Sequence, residues 1–161
     1  MSRHRYTAAL ALCVVAWSPA FATDATITVD LALERLGSEE ALGTLRSIAG
    51  ARSTEEVNER TVRITDVPEA VDLARTVIEM AEHPSEVAEQ IPRRALADGT
   101  EIVCVHLRRA SVRDVAQALR KEVRVKRLVA NPALSTVMLR DAPAQISSAL
   151  EVIRRMESSE E

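Results

Sequence analysis

Between Ile27 and Leu31, apolar residues alternate with Thr28 and Asp30, the period of a strand with one buried face. The period then lengthens. Leu42, Leu45, Ile48 and Ala49 follow Ser38, a good N-cap, with Glu39 and Glu40 at the positive end of the predicted helix and Gly50 placed to end it. Residues 52–57 read as a weak strand, Asn58-Glu59-Arg60 as a turn and 61–65 as a further strand. Asp66 and Pro68 then open a helix whose inward face is Val71, Ala74, Ile78 and Ala81, proline being tolerated in a first helical turn.

The same order returns. Residues 102–107 form an apolar strand, Ser111 with Asp114 opens a helix, and Val112, Val115, Ala116 and Leu119 face inward. Val123, Val125 and Val129 predict a strand that places Arg124 and Lys126 on its opposite, solvent-facing side. Asn131-Pro132 marks a turn, 136–140 another strand, and Asp141 with Pro143 another helix, lined by Ile146, Ala149, Leu150, Ile153 and Met156. The recurrence extends to the letters: residues 61–82 align on 136–157 without a gap, with 8 of 22 positions identical, among them Asp66/Asp141, Pro68/Pro143 and Glu82/Glu157. A duplicated unit makes this a protein of two small modules. The expected fold class is α+β, two tandem β-α-β-β-α modules, each a small sheet with two helices on one face.

The amino terminus reads as a secretory signal over residues 1–22: basic Arg3, His4 and Arg5, an apolar run from Ala8 to Trp17, and the small-x-small pattern Ala20-Phe21-Ala22. That run is shorter than the roughly 20 residues of a membrane span. The expected organisation is therefore a signal peptide at 1–22, a first module at 23–83, a linker at 84–100 and a second module at 101–161. Ala95–Ala97 of the linker is able to pair with Glu101–Val103 across the Asp98-Gly99 turn.

The segments TVRITDVPEAVDLARTVIEMAE (61–82) and TVMLRDAPAQISSALEVIRRME (136–157), together with VHLRRASVRDVAQALRKE (105–122), resemble the periplasmic N-domains of secretins, the outer-membrane ring channels of type II and type III secretion and type IV pilus systems. The resemblance implies tandem β-α-β-β-α modules that build or dock onto rings, with protein partners such as a secretin or another secretion or pilus component. A secretin continues into a long, strand-rich channel region, which these 161 residues do not contain. The implied role is that of a ring-building or ring-docking module rather than a pore.

Candidate chemistry is sparse. Cys104 and His106 share one side of a predicted strand, a spacing open to nucleophilic or metal chemistry, but a small buried thiol is the simpler expectation. No second cysteine or third histidine lies near to complete a metal site, and the four glycines are scattered rather than gathered into a phosphate loop. We expect no catalytic residue, cofactor or metal. A KH-type nucleic-acid module would carry a Gly-x-x-Gly loop, and neither module has one.

Charge is the stronger signal. Residues 23–83 hold 6 basic and 13 acidic side chains, whereas 108–127 hold 8 and 2. Arg120, Lys121, Arg124, Lys126 and Arg127 are the expected protein-interaction residues, suited to an acidic partner or to the acidic first module of another copy. The expectation is an exported, periplasmic, non-enzymatic assembly module, with a possible homo-oligomer. Two alternatives stand beside it: a membrane-retained accessory subunit with an uncleaved anchor, and a ligand-binding protein using the cleft between modules. Tyr6, Trp17 and Phe21 are the only aromatic residues. Exported, processed protein should therefore lack tryptophan emission. A tryptophan spectrum from exported material would show that Trp17 is retained and favour the anchor.

Overall fold

The computed structural model describes residues 25–87 and 91–158; the predicted signal peptide lies outside them. The chain is α+β. In the first module, β1 (Ile27–Ala32), β2 (Thr54–Asn58) and β3 (Thr61–Asp66) form an antiparallel sheet in the order β1-β3-β2. Helices α1 (Ser38–Thr44), which widens into a π turn over Leu45–Ala49, and α2 (Pro68–Glu82) cover one face of it. After α2 come the short strands β4 (Ser85–Glu86) and β5 (Arg94–Ala95). The second module follows with β6 (Glu101–His106), α3 (Val112–Ala118) and its π turn Leu119–Val123, β7 (Arg127–Asn131), β8 (Thr136–Asp141) and α4 (Pro143–Ser158).

The second sheet runs β4-β6-β8-β7, with β5 also on β6. The stretch read as a linker thus supplies the outer edge of this sheet: β4 pairs in parallel with Val105 and His106, and β5 pairs antiparallel with Glu101 and Ile102. Gly99, at φ 78°, makes the tight return between β5 and β6, closed by the Leu96 N–H on the Thr100 carbonyl at 2.8 Å.

The two modules are stacked. Val103, Val105, Val137 and Leu139 point to α3 and α4 and form one core. Ile102, Cys104 and Met138, on the opposite face of the same strands, belong to the core of the first module, against which Val129 also packs. The order of layers is sheet, helices, sheet, helices. Both faces of the second sheet are therefore buried, which accounts for the nearly unbroken apolar run of β6. The expectation of helices on one face holds for each module, but it omitted this second covering.

Cross-strand register shows how the repeats diverge to permit stacking. In the first sheet Arg63 sits between Asp30 and Glu55, bonding them at 2.7 and 3.1 Å on the exposed face. In the second sheet the matching triplet is Met138 between Cys104 and Val129. An ion-paired face has become an apolar one. The helices diverge in the opposite sense: Ile48 and Met80 in the first module are matched by Glu122 and Arg155, which bond at 2.5 Å.

The shared residues hold the loops. The Glu82 carboxylate accepts the N–H groups of Glu34, Arg35 and Leu36 at 3.1, 2.7 and 3.1 Å. Glu157 does the same for Arg108, Arg109 and Ala110 at 3.2, 3.2 and 2.9 Å. Each clasp fastens the strand-to-helix loop of a module to the end of its last helix. Asp66 and Asp141 precede helices but do not cap them. Each ends a strand and accepts the N–H of the following residue and of a loop residue beyond the first helix, Arg52 in one module and Lys126 in the other. Ser38 likewise lies inside α1 and bonds Glu56 at 2.8 Å, leaving Gly37 as the N-cap residue, while Ser111 occupies the N-cap position without a side-chain cap bond.

Glu82 is buried and Glu157 only partly so. Replacing a carboxylate oxygen by an amide donor opposes N–H groups with N–H groups, so Glu82→Gln should lower stability by about 2 kcal/mol and Glu157→Gln by about 1 kcal/mol. Urea denaturation of the two variants checks the order. Equal, negligible losses would show that the loops do not depend on the clasps.

Candidate protein-interaction site

The five basic residues do not share a strand. Arg120 and Lys121 lie on the π turn that closes α3, and Val123 belongs to that turn rather than to a strand. Arg124 ends the helix in the left-handed region, at φ 58°. The strand begins only at Arg127. The expected alternation of Arg124 and Lys126 about a strand is thus replaced by a helix terminus and the loop after it. Val123, Val125 and Val129 had the right apolar character, but the widened last helical turn takes up the chain that a strand would have used.

All five side chains are exposed. Lys126 is held by its backbone N–H on Asp141 at 2.8 Å, leaving its ammonium group at the surface. Arg127 faces the first module: a Cβ added to Gly50 would lie 3.9 Å from its guanidinium. Gly50 and Arg124 occupy matching ends of their helices, both with positive φ. The first module fills this conformation with glycine, for which it is unstrained, and the second with arginine, for which it costs about 1 kcal/mol. The basic side chain is kept there against local backbone preference.

Beside this cluster is a cavity of about 240 Å³ lined in part by Asp98, Lys126, Arg127, Arg140 and Asp141. Arg140 lines it and is the residue that the sequence reading missed. Only 8% exposed, it donates to the Ile48 carbonyl at 2.7 Å, to Thr100 Oγ1 at 3.1 Å and to the Asp98 carboxylate at 2.8 Å. It therefore joins the helix end of the first module to the β5–β6 turn of the second. The Thr100 hydroxyl and N–H, and then Arg140, hold the Asp98 carboxyl well below the usual carboxylate range. The available signal was that Arg140 aligns with Thr65, an arginine on a strand otherwise turning apolar at the same outward positions.

Cys104 and His106 do share a face, and it is the face turned to the first module. Cys104 is 3% exposed, and burial pushes its thiol up to about 12, so at neutral pH it is protonated and shielded. His106 Nδ1 lies 3.1 Å from the Leu134 carbonyl oxygen, and His83 is exposed. Among the described residues, no cluster of three or more His, Cys, Asp or Glu side chains is placed to hold a metal ion. No described helix is long and apolar enough to cross a membrane.

No protein-family model matches the chain, and no curated protein does. Among solved structures, the chain is similar to one in a cryo-EM structure of the ETEC pilotin–secretin AspS–GspD complex, at 19% identity and a TM-score of 0.33, over 86% of this chain and 25% of that one. It is also similar to the type II secretion system secretin GspD of E. coli K12, at 16% identity and a TM-score of 0.31, over 85% of this chain and 26% of that one. The chain spans about a quarter of the length of these secretins.

Because Arg140 bridges the modules, Arg140→Ala leaves a buried carbonyl without its donor and should lower stability by about 2–4 kcal/mol. It should also speed maleimide labelling of Cys104 at neutral pH, through opening of the contact between modules. Labelling as slow as in the parent would show that the guanidinium does not hold the modules together.

Proposed function

We propose that this chain is an exported, non-enzymatic assembly module of a secretin-type secretion or type IV pilus system, binding a protein partner through its basic face. The observation that carries the binding part is the cluster Arg120, Lys121, Arg124, Lys126 and Arg127. All five are exposed, and one is retained in a backbone conformation that the sister module gives to glycine. The sequence resemblance to secretin N-domains and the tandem β-α-β-β-α modules support the choice of machine. The protonated, buried Cys104 supports a role without nucleophilic catalysis. The partner surface is acidic: either a component of the envelope machine or the first module of another copy. That module exposes Glu39, Glu40, Glu55, Glu59 and Glu69.

Arg124→Glu with Lys126→Glu tests the reading. Both side chains are at the surface, so stability should change by less than about 0.5 kcal/mol per site. Assembly should nevertheless weaken, and the parent contact should weaken with added salt. Crosslinking and co-sedimentation in envelope extracts at low and high salt read this out. Recovery of parent and variant in the same large assembly at every salt concentration would reduce the basic face to a solvated surface.

A further inference from the structure

The two modules treat one strand edge differently. In the second, the outer edge of β6 is covered at both ends, by β5 at Glu101 and Ile102 and by β4 at Val105 and His106. Ser85 and Glu86 run parallel to Val105 and His106, and Val87 packs against the core that α4 completes. Glu86 forms an ion pair with Arg108, on the loop that Glu157 clasps. In the first module the matching edge is that of β1, an end strand whose outer side pairs with no described residue. Beside it lies a groove of about 440 Å³ between β1 and α2.

The register between strands matches Leu31 and Ala32 to Val105 and His106, the residues that receive the added strand in the second module. The loops clasped by Glu82 and Glu157 match Glu34 to Arg108. The aligned helices match Glu79 to Arg154. At the matching positions the charge is therefore reversed: where the second module pairs Arg108 with Glu86 and carries Arg154 on its last helix beside Val87, the first module lines its groove with Glu34 and Glu79. Asp30 is already paired with Arg63, and the Glu82 carboxylate is taken by backbone N–H groups. Arg75 is the groove's one arginine, a turn from Glu79.

We propose that the groove between β1 and α2 receives an extended peptide segment of a partner protein, added in parallel to β1 as β4 is added to β6. The segment carries a lysine or arginine at the position of Glu86 and an apolar residue after it. Main-chain bonds to a sheet edge give such binding its affinity, and side chains on either side of the strand give it specificity. An uncovered edge is otherwise an aggregation hazard that folds tend to blunt. This inference rests on the reading of the chain as a protein-binding module but uses a surface separate from the basic cluster.

The test uses the full chain and two fluorescently labelled synthetic peptides of residues 83–91, one unsubstituted and one carrying Glu86→Arg, followed by anisotropy at low salt. The E86R peptide should bind about tenfold tighter than the unsubstituted one. Glu34→Arg with Glu79→Arg, both at exposed positions, should reverse that preference without altering the circular dichroism spectrum. Arg124→Glu with Lys126→Glu should leave it unchanged. Absence of binding by both peptides at millimolar concentration, equal binding of the two, or a preference that survives E34R/E79R would overturn the proposal. A chain that binds the E86R peptide yet enters no envelope assembly would retain this inference and lose the assembly reading. The opposite outcome would do the reverse.

Discussion

The structure depends on one contact: the apolar outer face of the second sheet seated on the helices of the first module. Each module is near the lower size limit at which an apolar core sustains a fold. Ile102, Cys104 and Met138 complete the first core from outside it. The hydrophobic contact has no preferred orientation of its own. Arg140 gives it direction, since its guanidinium meets a helix-end carbonyl and a turn carboxylate together only when the layers are in register. A buried arginine satisfied on several sides suits that purpose better than it suits raw stabilisation.

Much of this was legible in the chain. The duplication, the order of elements and the inward residues of α2 and α4 followed from periodicity, because a half-buried strand and an amphipathic helix each leave a clear pattern. The stacking was legible only in part. Ile102, Cys104, Met138 and Val129 made the second sheet apolar on both sides, yet an apolar strand read alone does not say what covers its second face. The region after Arg120 misled because its valines suit a strand, whereas a π turn and a left-handed arginine carry the chain through it. Of the basic cluster, the charge and exposure were legible and the geometry was not. Arg140 escaped notice because a single arginine on a strand has no signature until its partners, distant in sequence, are known.

The two acidic identities between the repeats have a common cause. Glu82, Glu157, Asp66 and Asp141 are spent on backbone N–H groups in loops that no ladder satisfies, and an unsatisfied buried N–H is costly. These positions have stayed alike because both modules need the same loops. The positions that differ, such as Glu34 against Arg108 or Arg63 against Met138, lie on surfaces where the modules meet different surroundings.

The exchange of Asp30, Arg63 and Glu55 for Cys104, Met138 and Val129 also sets a limit on growth. Alternating sheet and helix layers would, if every module were the same, propagate without end as a one-dimensional polymer. Here the exposed end sheet carries an ion-paired triplet and the far helices carry Glu122 with Arg155. A further layer at either end would have to strip water from those charges, a desolvation that apolar contact repays only in part. Stacking of a further layer on either end is thereby disfavoured, and the two charged ends act as stops on the layered core.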